Sequence, residues 1–215
     1  MMPQTTMFAS MEEMLANSFK DYHIRGFDYI CLRRDPEGET SKLYFFDGDV
    51  SKLPEVVTPH DHRYHFDTTC LSGRVRNTKF VEIRTPAALA RHINSEILER
   101  FNHFRYSTPL NGGDGFTWAE EVLLADTESA SYQRGQTYHH RAEEIHTIRI
   151  EEPGTILMLS QHPDVVQTNV PTSAYFRDAA APSLDGLYSR FNADGILARL
   201  GQLHRATGIK VEVTE

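Results

Sequence analysis

The chain has 215 residues, enough for one domain with a full-sized core, and its 40% hydrophobic and 24% charged content is that of an ordinary globular protein. A net charge of −8 with no run of lysine or arginine excludes a basic nucleic-acid-binding surface. There is no apolar stretch near the ~20 residues of a membrane span and no basic-then-apolar signal pattern, and Cys31 and Cys70 are too few for a disulfide framework; a reduced, cytoplasmic protein without a membrane partner is expected.

Ser10-Met11-Glu12-Glu13 has capping-box spacing, and Met11, Met14, Leu15 and Phe19 follow at helical intervals, which predicts a helix over about 10–20 within an N-terminal extension of about 1–24. Phe27 to Leu32 and Leu43 to Phe46 are strand-like runs on either side of the turn Asp35-Pro36-Glu37-Gly38. Residues 60–71 and 74–83 read as strands flanking Ser72-Gly73. Thr85-Pro86 is a cap with proline at the first helical position, and Leu89, Ile93, Ile97 and Phe101 recur every four residues; together they predict an inserted helix over 86–103.

Asn111-Gly112-Gly113-Asp114-Gly115 reads as a surface loop. Strands are then expected at 116–124, 128–134, 136–141, 144–150 and 154–160. A helix over 194–206, opened by Asp194 and ended by Gly208, and a strand at 209–213 close the chain within a C-terminal segment of about 185–215. No internal repeat interrupts this single β-rich domain of 1–215.

Six of the eleven histidines fall in two clusters, 60–65 and 139–146. His60 and His62 are one residue apart, so on a strand their side chains share a face with Cα atoms about 6.5–7 Å apart, close enough for both imidazoles to reach one metal ion. Asp67 follows five residues after His62 but is out of phase with the pair, so it joins them only across a bulge. Tyr64 is in phase and is a candidate for hydrogen-bonding a substrate or a metal-bound oxygen, with an ordinary packed tyrosine as the plainer alternative. His139 and His140 are adjacent and must face opposite sides. Arg74, Arg76 and Arg149 are candidates for binding a carboxylate or phosphate, with solvated surface arginines as the plainer alternative.

The segment His60-x-His62-x4-Asp67-x5-Gly73, followed by Gly135 eleven residues before His146, resembles the two motif blocks of the cupin superfamily. Asp67 stands where glutamate is usual, and Arg141 and Glu143 stand where proline and glycine are expected. The resemblance implies a mainly β, cupin-like double-stranded β-helix (jelly roll) with added helices. It further implies a metal held by His60, His62, His146 and Asp67, and pairing of two copies through an edge strand.

The His-Asp-His opening also looks like the thiol dioxygenase branch. That branch tends to carry cysteine where Asp67 stands, and Cys70 reads instead as a small buried residue.

Imidazole and carboxylate donors suit a divalent transition metal, with Fe(II) preferred and Mn, Ni, Cu or Zn as alternatives. The expected function is a metal-dependent enzyme, foremost an Fe(II) oxygenase acting on a small polar molecule. A metal-dependent isomerase or lyase, a non-catalytic ligand-binding cupin, and a metal-free β-sandwich are the rival readings. Phosphate-binding glycine loops, Cys-x-x-Cys pairs and Gly-x-Ser-x-Gly elbows are absent from the sequence.

Overall fold

The computed structural model describes residues 6–107, 113–180, 183 and 185–214. Its first elements are β1 (Thr6–Ser10), α1 (Met11–Asn17), β2 (Phe19–Lys20), β3 (Phe27–Arg34) and β4 (Thr40–Phe46). Next come β5 (Val57–His60), β6 (Tyr64–Ser72), β7 (Arg74–Glu82), α2 (Pro86–His92), β8 (Leu98–Ser107) and β9 (Gly115–Gln133). The last are β10 (Thr137–His140), β11 (Ile145–Ile150), β12 (Ile156–Asp164), β13 (Thr172–Phe176), β14 (Ser189–Arg190), α3 (Ala193–Thr207) and β15 (Lys210–Thr214).

The architecture is the expected mainly β jelly roll of antiparallel strands, with helices at its start, middle and end. A seven-stranded sheet runs in the order β10-β6-β12-β4-β3-β2-β14. It faces a six-stranded sheet, β11-β5-β13-β8-β9-β7, that closes on itself as a ring. Phe27, Phe46, Phe66, Val75, Ile150 and Leu157 fill the space between them. A separate small cluster of Phe80, Phe101, Val122, Leu124 and Tyr175 packs among the ring strands.

The outer face of the larger sheet is covered by α1, α3 and the parallel β1–β15 pair, through Met14, Ile30, Phe45, Ile196, Leu200 and Leu203. With cover on both faces, the run Phe27 to Leu32 is buried at every position. Arg199 of α3 clamps the buried Asp28 of β3 through two hydrogen bonds of 2.6 and 2.9 Å.

Several expectations are corrected by the structure. The helix over 86–103 ends at His92, and residues 98–107 form β8. The period-four apolar pattern is real, but the aromatic-rich segment Phe101 to Tyr106 has strong β preference, and its backbone is paired with β9 on one side and β13 on the other. The first helix is shorter than its pattern, because β2 takes over at Phe19.

The two strands expected between 116 and 134 are one 19-residue strand, bulged where Lys79 pairs with Glu128 and Phe80 with Asp126. The predicted strand 60–71 breaks at Asp61–Arg63, where the chain leaves the ring for the larger sheet. Asn111 and Gly112 of the expected loop lie outside the described residues. Among the described residues no helix is long and apolar enough to cross a membrane.

Candidate metal centre

β5 and β11 pair antiparallel with His60 directly opposite His146. His62 lies just past the end of β5, where its backbone N–H donates to the Ala142 carbonyl at 2.9 Å. The period-two alternation survives this corner, so His62 stays on the side of His60. The result is one candidate ligand nitrogen from each of His60, His62 and His146, all within 4.8 Å of one another. The Nε2 atoms of His62 and His146 are 3.1 Å apart. Two nitrogens bound to one ion at ~2.0–2.1 Å are separated by roughly 3.0–3.4 Å, so this spacing fits a shared ion.

Neighbouring groups orient two of these rings. His60 Nδ1 lies 2.8 Å from the Thr58 carbonyl, which only accepts, so Nδ1 carries the proton and Nε2 is left with its lone pair. His146 Nδ1 likewise donates to Asn77 Oδ1 at 2.7 Å, from β7. Burial holds the His60 imidazole below its ordinary pKa. His62 and His146 are held well below theirs by burial and then by the neighbouring imidazoles. All three are neutral near pH 7, the state in which imidazole ligates a metal. The tautomers, burial and convergence of this donor set fit a divalent transition metal.

Behind the triad stands His140, fully buried on β10, its ring centroid 3.9 Å from that of His146. Burial lowers its pKa to about 4. His139 faces the other way, as adjacent strand residues must. The triad opens onto a cavity of about 250 Å³ between the two sheets, lined by apolar groups such as Phe66, Ile148 and Leu157 and by the phenols Tyr22, Tyr44 and Tyr64.

Tyr64 is where its strand phase places it, with its ring centroid 5.2 Å from that of His62. Burial pushes its phenol up to about 12, so the hydroxyl remains a donor through the neutral range. Lys42 sits 5.0 Å from the Tyr64 ring centroid, with its ammonium 3.5 Å from the Tyr64 hydroxyl and hydrogen-bonded to Gln161.

Asp67 is not brought to this cluster. β6 is regular between Phe66 and Asp67, so Phe66 faces inward against His62 while Asp67 points to the outer face, bonded to His139 and His162. Arg74 and Arg76 pair with Glu152 and Glu151, Arg149 is exposed, and none of the three lines the cavity. Cys70 is buried, its thiol pushed up to about 11 by burial, in keeping with an inert core residue.

Sequence reasoning did not find Asn77, Lys42 or Tyr22. Each is a single residue on an ordinary strand or loop, and only the pairing of distant strands brings it to the site. A wider depression of about 760 Å³ opens elsewhere, beside Glu82, Arg84, His103 and Tyr175. Its charges are largely matched in pairs, Arg84 with Glu82 and Lys79 with Glu144, and it contains none of the three clustered histidines.

No protein-family model matches this chain, and no curated protein matches it. Among solved structures it is similar to KdgF from Halomonas sp., with 12% identity, a TM-score of 0.34, and coverage of 63% of this chain and 80% of that one. It is also similar to hydroxypropylphosphonic acid epoxidase from S. wedmorenis, with 13% identity, a TM-score of 0.37, and coverage of 69% of this chain and 57% of that one. For Momordica charantia 7S globulin the identity is 12%, the TM-score 0.42, and the coverage 87% and 43%. The chain thus spans about half the length of the last two. At these identities and TM-scores the activities of the three proteins carry no weight for this one.

Proposed function

We propose that the protein is a metal-dependent enzyme of cupin type, with His60, His62 and His146 as the ligands, and that it is an Fe(II) oxygenase acting on a small polar molecule. The observation that carries this reading is the convergence of the triad. Two Nε2 atoms lie 3.1 Å apart, and the Nδ1 atoms of His146 and His60 are committed to Asn77 and to the Thr58 carbonyl. An Fe(II) ion bound there by three neutral imidazoles would retain its full positive charge and open positions, and would supply redox chemistry with molecular oxygen.

The chain's own groups have separate tasks. Asn77 and Thr58 hold the two rings in the ligating tautomer. The Tyr64 phenol, protonated across the neutral range, donates a hydrogen bond to a polar atom of the substrate. Phe66, Ile148 and Leu157 keep water from the inner end of the cavity, where polar contacts are correspondingly stronger.

The test is elemental analysis of protein purified without a histidine tag, followed by oxygen-uptake measurements on Fe(II)-loaded protein with a panel of small polar molecules. Stoichiometric iron that is lost in His60→Ala/His62→Ala, together with substrate-dependent oxygen uptake, is expected. Zinc, nickel or manganese without oxygen uptake would replace the oxygenase by an isomerase, a lyase or a binding protein. Unchanged metal content in the double variant would remove the site itself.

A further inference from the structure

A buried cation stands behind one phenol of the cavity. Lys42 shares the inner face of β4 with Tyr44 and Phe46 by strand alternation, and it is 5% exposed. Its ammonium donates to Gln161 Oε1 at 2.5 Å and sits 5.8 and 5.0 Å from the ring centroids of Tyr29 and Tyr64. Lysine ion pairs among the described residues are those of Lys52, Lys79 and Lys210, so no carboxylate neutralises Lys42. Asp164, the carboxylate whose field reaches it, is already paired with Arg63 at 3.1 Å. A charge taken out of water without a counter-ion is costly, and a neutral amide and two aromatic faces offset only part of that cost.

We propose that Lys42 is a positioning residue acting through Tyr64, and that the substrate of the cavity presents an anionic oxygen of carboxylate type to the Tyr64 hydroxyl. This rests on the reading of the triad as the reactive centre and names the class of small polar molecule it takes.

The direction of the hydrogen bond follows from the groups themselves. An ammonium has donors only, so across their 3.5 Å contact Lys42 donates and Tyr64 Oη accepts. The single phenol proton therefore points away from Lys42, and no protein acceptor takes it among the described residues. Tyr64 lines the cavity, so that proton is offered to the cavity's occupant. Accepting from a cation polarises the phenol and strengthens the bond it donates. An occupant atom with full negative charge gains most, because the ammonium lies one hydroxyl away in a water-poor interior.

The other charges of the cavity wall are already committed. Arg63 is held by Asp164, and Asp61 accepts the Ser173 N–H at 2.7 Å. The Tyr64 ring centroid lies 5.2 Å from that of His62, so an anion anchored by the phenol lies beside the triad. Burial lowers the Lys42 pKa, as expected for a cation short of counter-charge, and an anion beyond Tyr64 supplies that charge.

The experiment compares butyrate with butyramide, which share a carbon skeleton and differ in charge. Binding of each to tag-free protein as purified is titrated by saturation-transfer NMR, with metal content and a thermal melt recorded for every sample. The wild type is expected to bind butyrate at least about tenfold more tightly than butyramide, the worth of a hydrogen bond to a charged group. Lys42→Met keeps the length of the side chain and removes the charge. It is expected to bind the two probes alike, holding butyramide as the wild type does. Tyr64→Phe is expected to lower the butyrate affinity by a similar factor with Lys42 still in place.

Equal affinities in the wild type, or no binding of either probe, would overturn the proposal. So would a butyrate preference that survives in folded Lys42→Met or in Tyr64→Phe, which would assign the anion to the metal or to another cation. Parallel loss of both affinities in Lys42→Met would overturn it as well, since that is the signature of a merely structural lysine. Failure of the metal-centre reading gives a different result: metal is absent from every sample, yet the wild-type preference and its loss in Lys42→Met remain. Should Lys42→Met not fold, Tyr64→Phe, which removes one hydroxyl, still decides.

Discussion

Asn77 is the residue whose replacement tests the inner site most sharply, because it touches neither solvent nor a proposed substrate. Its Oδ1 accepts the His146 Nδ1 proton at 2.7 Å, and both residues are buried, at 4% and 5% exposure. Asn77→Leu keeps the volume and removes the acceptor. The His146 Nδ1–H is then left without a partner in the interior, which costs about 1–3 kcal/mol of stability. The ring is also free to adopt the tautomer that puts the proton on Nε2, where it blocks ligation. Removing such a partner of a ligating histidine typically weakens metal affinity about 10–100-fold, or about 1.4–2.7 kcal/mol.

The assay is competition for Fe(II) or Zn²⁺ against a chromophoric chelator, run beside urea unfolding of the metal-free protein. Asn77→Asp restores an acceptor at the same place and is expected to recover the affinity lost in Asn77→Leu. If Asn77→Leu binds metal as tightly as the wild type while His62→Ala does not, the tautomer argument is wrong, and His146 is held by packing alone.

Other predictions concern the surrounding structure. His23 is buried and its pKa is lowered to about 3, so below pH 6.5 the unfolded chain takes up a proton that the folded chain refuses. Its contribution is complete above pH 6.5 and is lost as the pH falls toward 3, at about 1.4 kcal/mol per pH unit. Urea midpoints at several pH values should show this slope, reduced in His23→Asn, and an identical slope in the variant would exclude His23 as its source. Gly73 has φ of +75°, and a Cβ there would lie 2.3 Å from Thr155 Oγ1 and 2.9 Å from its Cα. Gly73→Ala should therefore cost at least about 2 kcal/mol in chemical denaturation, and a smaller loss would mean that the β6–β7 turn relaxes. Tyr64→Phe should leave metal content unchanged and lower kcat/KM about tenfold, the worth of one hydrogen bond of ~1–1.5 kcal/mol. Full activity would remove Tyr64 from substrate positioning.

The information in the sequence is mostly local. Side-chain alternation is a property of the strand itself, so the shared face of His60 and His62 and the phase of Tyr64 with them were legible from spacing alone; the same alternation set Asp67 out of phase, yet the motif resemblance counted it among the ligands. The C-terminal helix was legible too and ends at left-handed Gly208 as expected, although its cap is Asn192 and Asp194, expected to open it, lies in the first turn. His146 was found only through a motif resemblance, because nothing local says which strand lies beside β5.

Tertiary structure decided the rest. Residues 98–103 carry a helical apolar pattern, but pairing with β9 and β13 gives their backbone partners and buries Phe101, which outweighs the local preference. Asn77 joins the site because β7 lies beside β11, placing it directly opposite Ile148, two residues along from the His146 whose ring it holds. The same separation of faces that keeps Asp67 from the inner cluster sets it between His139 and His162, on strands far from it in sequence but next to it in the sheet. Strand phase is set by the residues themselves; strand neighbours are set by which arrangement buries the most apolar surface with every backbone group paired.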